Sequence, residues 1–183
     1  LGMPWRAEHM FTQIRHTARL PMNAHERVNR RTQMRLAFLA AASHTELYRY
    51  LNAYSPDLAE QFVNLVCDGI PSVETEYGKE AHRSATGAEG MWQIQPQTLR
   101  DAHRLNPTAW QTIFGSRNAN VHNVTDASKV AALVFNNIFT YYRSKWNANH
   151  AVFRHPEALL IPALIGAYNH GQGTVDRMLE QRL

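Results

Sequence analysis

The chain has almost none of the residues that staple or ligate a fold. Cys67 is the single cysteine among 183 residues, which excludes an intramolecular disulfide; packing has to hold the fold, and Cys67 reads as a small buried hydrophobe. Ten histidines are present, but none forms a His-Glu-x-x-His pattern, and His150 and His155 stand at the wrong step for one helix face, so no metal site is expected. An Asp-rich calcium loop and a Gly-x-x-x-x-Gly-Lys phosphate loop are both missing. Gly171-Gln172-Gly173 has no strand before it and does not make a dinucleotide fingerprint. No cofactor is expected. No uninterrupted apolar run approaches the roughly 18 residues of a membrane-spanning helix, and neither a repeat nor a Gly/Ser linker divides the chain.

What is present is the composition of a folded globular protein, 44% hydrophobic and 10% aromatic, at a length that allows one domain with a real core. Lysine and arginine outnumber the acids 19 to 15, a formal charge of +4 to which the histidines would add in mild acid. A negatively charged partner is implied. Nucleic acid and a cell envelope carrying carboxylates and phosphate polymers both fit the charge, and the absence of any nucleic-acid motif weighs against the first. Arg6, Arg15, Arg19, Arg27, Arg30, Arg31 and Arg35 crowd the first 35 positions, so residues 1–54 read as a basic helical extension ahead of a domain at 55–183. Residues 30–43 resemble a signal peptide, but the apolar run is short and far from residue 1, and they read as helix. A start at Leu1 reads as a fragment or a processed form.

Periodicity predicts a mostly α protein. Leu36, Leu39, Ala40, Leu47, Tyr48 and Leu51 recur at helical steps between about Asn23 and Ala53, as one long helix or two short ones. Ser55-Pro56-Asp57 opens a helix with Leu58, Phe62, Leu65 and Val66 on one face, and Gly69 and Pro71 are expected to interrupt it. Residues 78–90 are small and polar and read as a surface loop with a short β-turn. Met91 to His103 regains helical character, and Asn106 to Asn123 reads as an Asn-rich connection pinned by Trp110, Ile113 and Phe114. Thr125 and Asp126 are expected to cap a core helix ending near Trp146. The run Ala158 to Tyr168 is apolar all round and should be buried, with Pro162 marking a kink or a late helix start and Gly171 the stop.

Three short motifs carry chemistry: Val73-Glu74-Thr75-Glu76-Tyr77, Gly90-Met91-Trp92-Gln93 and Ala167-Tyr168-Asn169. Taken alone, a glutamate near a helix end reads as a solvated surface residue; the glycosidic cleavage implied by the resemblance given below would require of it a carboxylic acid kept protonated near neutral pH to protonate the leaving oxygen. Glu74, after a helix and between Val73 and Tyr77, has the partly apolar setting that raises a carboxyl pKa. Glu76, Glu80 and Glu89 are the nearby acids that a water-using mechanism could recruit. Trp92, Trp110, Tyr77 and Tyr168 are aromatic surfaces for sugar rings, with a core role the competing reading for Trp92 and Trp110.

The trio resembles the signature motifs of the transglycosylase SLT family, Glu-Ser plus an aromatic, Gly-Leu-Met-Gln and Ala-Tyr-Asn. The most specific stretch is Ser84-Ala85-Thr86-Gly87-Ala88-Glu89-Gly90-Met91-Trp92-Gln93, which is similar to the family's Ser-Pro-x-Gly-Ala-x-Gly-Leu-Met-Gln. Thr75 stands for serine, Trp92 for methionine, and the loop after Tyr77 is one residue longer than usual. The resemblance implies a lysozyme-like helical domain with a small irregular or β-turn region, acting on peptidoglycan glycan strands. It implies Glu74 as acid and then base, giving a 1,6-anhydro product, with Ser84, Met91, Gln93, Tyr168 and Asn169 binding substrate. A muramidase hydrolase, or a non-catalytic binding module on the same scaffold, is the alternative. The implied setting is the cell envelope or periplasm, or a secreted or virion-associated form, as part of a phage particle or an envelope-spanning secretion machine.

Overall fold

The computed structural model describes residues 24–75 and 87–182, with the backbone alone for 72–75 and 182. Helix α1 (Ala24–Ala42) and α2 (Glu46–Tyr54) come from the segment read as one long helix or two. The break falls at Thr45, whose Oγ1 accepts from Tyr48 N and so starts the second helix afresh. Helix α3 (Pro56–Thr75) follows. It runs straight through Gly69 and Pro71, which corrects the expected interruption. Proline removes one intrahelical donor; here Phe62, Val63, Val66, Cys67 and Ile70 are all buried on the helix, and that burial outweighs the loss.

The next elements also depart from the periodic reading. Met91 to Gln93 is a turn, not a helix, and α4 begins only at Pro96 (Pro96–Leu105). Inside the stretch expected to be loop, α5 (Pro107–Phe114) forms with Pro107 at its first position, because Trp110 and Phe114 give it a buried face against His103. Helix α6 (Val124–Lys145) is capped by Asn123, whose side chain accepts from Asp126 N, rather than by Thr125. A short α7 (Ala151–Arg154) and a π-helical turn at Pro156–Leu160 lead into α8 (Ile161–His170), the late and irregular start that Pro162 foretold. Gly171, at φ 86°, ends α8, and α9 (Gln172–Arg182) closes the described chain.

Helix α6 is the hub. Residues on nearly every side of it are buried, from Ala127 to Tyr142, and α1, α2, α4 and α8 all pack on it. Met34 and Phe38 of α1 are 0% and 1% exposed and belong to the same core. The basic residues of α1 are drawn inward as well as outward: Arg31 pairs with Asp68 and Arg35 donates to Asn64 of α3, while Arg30 pairs with Glu26. Arg6, Arg15 and Arg19 lie outside the described residues. No described helix is long and apolar enough to cross a membrane. Cys67 is buried, and burial pushes its thiol pKa up, away from reactivity.

Asp126 ties the 115–123 loop to the start of α6. Arg117 donates to both of its oxygens, at 2.6 and 2.8 Å, and Asn120 N donates to Oδ2 at 2.9 Å. The Arg117 guanidinium, with the Asn120 N–H behind it, holds the Asp126 carboxyl below the usual range. A depressed folded pKa stabilises the protein above the unfolded value, near 3.9, and that support is lost as pH falls through the folded pKa. Asp126→Asn should therefore cost about 2 kcal/mol at neutral pH, lowering Tm by roughly 4–8 °C. In thermal melts across pH the gap between the two proteins should begin to close below about pH 4 and vanish only once pH has fallen below the folded pKa.

Candidate active site

The first wall of the site is a tight turn. Glu89 and Ile94 face each other in an isolated antiparallel bridge, exchanging N–H···O bonds at 3.1 and 3.0 Å. The turn lies later than the loop expected at 78–90 and takes in the start of the stretch expected to be helix; residues 76–86 before it lie outside the described set. Between the bridging pair, Gln93 N donates to Gly90 O at 3.1 Å, and the Gln93 side chain donates to the same oxygen at 2.9 Å. Gln93 sits at φ 49°, in the left-handed region that disfavours side chains, so the paired bonds to Gly90 O offset a real conformational cost.

Two anchors hold the turn. One is Trp92, which is fully buried. Its indole N–H donates to Ser128 Oγ at 3.1 Å, its ring stacks on Phe38 at 5.9 Å and meets Tyr168 edge-on at 6.3 Å. The other is the 115–123 loop, where His122 Nε2 lies 2.9 Å from Glu89 Oε2 and Val121 presses on Gly90. A Cβ at Gly90 would overlap the Val121 carbonyl oxygen, and its φ of 75° suits glycine alone.

The second wall is the end of α8. Tyr168 donates its hydroxyl to Trp92 O at 2.8 Å and stacks on Phe135 at 4.9 Å, so the tyrosine ring is fixed between the turn and α6. Asn169 Nδ2 donates to Ile165 O at 3.2 Å. Between these walls lies a groove of about 680 Å³ that Gln93, Tyr168 and Asn169 all line.

Of the residues picked from sequence, the structure thus brings Gln93, Tyr168 and Asn169 together. The Met91 side chain is not with them, being 4% exposed and packed in the core, so only its backbone belongs to the turn. Glu74 lies on the last turn of α3, and its side chain, like Ser84, Tyr77, Glu76 and Glu80, lies outside what is described. Trp92 and Trp110 are core residues and present no ring to a sugar. The groove also holds residues that sequence reasoning missed: Asp101 on α4, and Asn137 and Tyr141 on α6. Arg104 and Gln97 hydrogen-bond Asp101 and hold its pKa below the usual range, so it is ionised at neutral pH. The four-residue spacing of Asn137 and Tyr141 is readable in the sequence, but that they face the groove is not. Among the described residues no group of three or more His, Cys, Asp or Glu is placed to hold a metal ion.

Among the described residues the domain is helical, with a turn and a helix end facing each other across a groove of mixed polar and apolar lining, a lysozyme-like architecture. The family model described as "Transglycosylase SLT domain" matches residues 64–182, about two thirds of the chain, and the chain belongs to that family. It is therefore a glycan-cleaving domain of the transglycosylase type. Neither the curated proteins nor the solved structures give a match.

Gly90→Ala tests how much the site depends on the close approach at Val121. Because the obstacle is backbone, the substitution should cost about 3 kcal/mol or more. Urea unfolding should show a lower midpoint at unchanged m.

Proposed function

We propose that the protein is a peptidoglycan lytic transglycosylase that cleaves the β-1,4 bond between N-acetylmuramic acid and N-acetylglucosamine. The observation that carries this reading is the convergence of Gln93, Tyr168 and Asn169, from motifs 75 residues apart in the chain, on one groove. Glu74, on the last turn of α3, is taken as the catalyst on the strength of its motif. As a protonated carboxylic acid it would protonate the glycosidic oxygen as the bond breaks and positive charge grows on the muramic ring. As a carboxylate it would then take the proton from the C6 hydroxyl of the same sugar, which closes on C1. The bond broken is C1–O of the linkage, the bond formed is C1–O6, and no water is consumed.

Gln93 and the backbone of the turn would hold the N-acetylated sugar, while Tyr168 and Asn169 would orient the substrate's acetamido group and the acid. Ser84 is proposed as a further substrate contact on the strength of the motif alone. The site of action follows the substrate: the cell envelope, reached from a periplasmic, secreted or virion-associated form. A water-using muramidase would need a second carboxylate. Of the acids it could recruit, Glu76 and Glu80 lie outside the described residues; among the described ones, Glu89 is engaged by His122, and Asp101 is held by Arg104 and Gln97.

Digestion of purified sacculi followed by mass analysis of the fragments separates the two chemistries. Anhydro ends, lighter by one water than reducing ends, are expected; reducing ends alone would assign a hydrolase. Glu74→Gln should lower the cleavage rate by about 100-fold or more. A variant within a few-fold of the parent would remove Glu74 from the mechanism.

A further inference from the structure

Helix α6 presents two polar side chains to the groove that the three motifs do not account for. Asn137 and Tyr141 are one helical turn apart on the face that also brings Val134 and Ile138 there. Both are polarised from behind.

For Asn137 the polarity is set by a relay of amides. It begins at Leu47, whose backbone N–H donates to Asn136 Oδ1 at 3.1 Å. A backbone N–H is a donor only, so Asn136 must turn its NH2 the other way, where it donates to Asn106 Oδ1 at 2.9 Å. The Asn106 NH2 then donates to Ala102 O at 2.9 Å and to Asn137 Oδ1 at 2.7 Å. Ala102 O is an acceptor only, which fixes Asn106 a second time. Asn106 and Asn136 are buried. Turning either amide over would oppose two donors or two acceptors out of reach of water, which leaves buried polar groups unsatisfied. The consequence appears at the groove: the Asn137 carbonyl is committed inward, and its NH2 remains as the group to be shared with a ligand.

Tyr141 is polarised in the opposite sense. Its hydroxyl donates to Asp176 Oδ2 at 2.5 Å, and the same oxygen accepts from Lys145 Nζ at 3.0 Å. Asp176 is buried, and Lys145 is tied in turn to Glu180. With its one proton given to a carboxylate, the Tyr141 oxygen has only acceptor capacity left, and with the Lys145 ammonium beside it one lone pair is what it can offer a ligand.

We propose that Asn137 and Tyr141 together read a secondary amide of the substrate, Asn137 donating to its carbonyl oxygen and Tyr141 accepting its N–H. This rests on the glycan-cleaving reading of the groove and names what the α6 wall recognises there. A fixed donor beside a fixed acceptor rejects an ammonium, which has no acceptor for Asn137, and an ester, which has no N–H for Tyr141, since either leaves one protein group unpaired. Peptidoglycan carries secondary amides in two places, the acetamido groups of its sugars and the peptide bonds of its stems, and the chemistry is shared by both.

Asn137→Asp is the test, because it changes only the end that faces the groove. The new carboxylate still accepts from Asn106, more strongly than before, but offers an acceptor where the amide offered a donor. We expect Tm within about 3 °C of the parent and kcat/KM on sacculi down by about 30-fold, most of it in KM. Tyr141→Phe should lose a few-fold in the same direction. The assay is repeated on glycan strands stripped of stem peptides and on strands chemically N-deacetylated. A penalty that survives stripping and vanishes on deacetylation assigns the acetamido group; the converse assigns the stem peptide. Asn137→Asp within twofold of an active parent on every substrate overturns the proposal, as does an equal penalty on both trimmed substrates. Binding of the same strands is measured in a Glu74→Gln background. Weaker binding by Asn137→Asp there, beside a parent that cuts nothing, would keep the amide reader and retire the catalytic reading.

Discussion

The buried indole of Trp92 is the contact on which the rest of the site depends. It touches every element that matters: Phe38 from α1 lies against its ring, Ser128 at the start of α6 accepts its N–H, and Tyr168 from α8 meets its edge and donates to its carbonyl. Ser128 in turn donates to Val124 O, so the indole's partner is itself satisfied. A side chain of this size, removed entirely from water, contributes several kcal/mol by area alone. Its polar atoms direct that energy, since only one placement of the turn meets both Ser128 and Tyr168. The neighbouring Gln93 is then delivered to the groove without any freedom of its own.

Much of this was legible in the sequence and the failures have physical causes. The helical class, the core character of 124–146, the irregular start of the last apolar run at Pro162 and the stop at Gly171 all follow from spacing and from proline and glycine chemistry. The motif residues Gln93, Tyr168 and Asn169 were picked out and meet at one groove. Pro71 misled because a rule about local backbone donors was applied where a buried face decides the outcome. The helix at Pro107–Phe114 was hidden by the asparagines around it; only its packing on His103 and the core reveals that Trp110 and Phe114 share a side. Met91 to Gln93 was read as helix because its apolar residues lack a period to contradict it, whereas positive φ at Gly90 and Gln93 makes it a turn.

Asn137 and Tyr141 were missed for a different reason. A sequence shows which side chains have hydrogen-bonding capacity but not which part of that capacity is already spent. Asn106, Asn136 and Asn137 look alike in the chain, and Tyr141 looks like Tyr142 beside it. Only their partners distinguish a buried strut from a group with something to offer. In this protein the distinction runs from Leu47, at the start of α2, through Asn136 of α6 and Asn106 at the α4–α5 junction to the groove.

The family match begins at residue 64, yet Met34, Phe38, Leu47 and Leu51 are buried in the same core as Trp92 and Phe135. The transferable motif set and the unit that folds are therefore of different lengths. A fragment cut to the family boundary would bare the outer faces of α3 and α6 and leave Asn136 without the N–H of Leu47. Grafting this domain into another protein, or trimming it for expression, has to carry α1 and α2 with it.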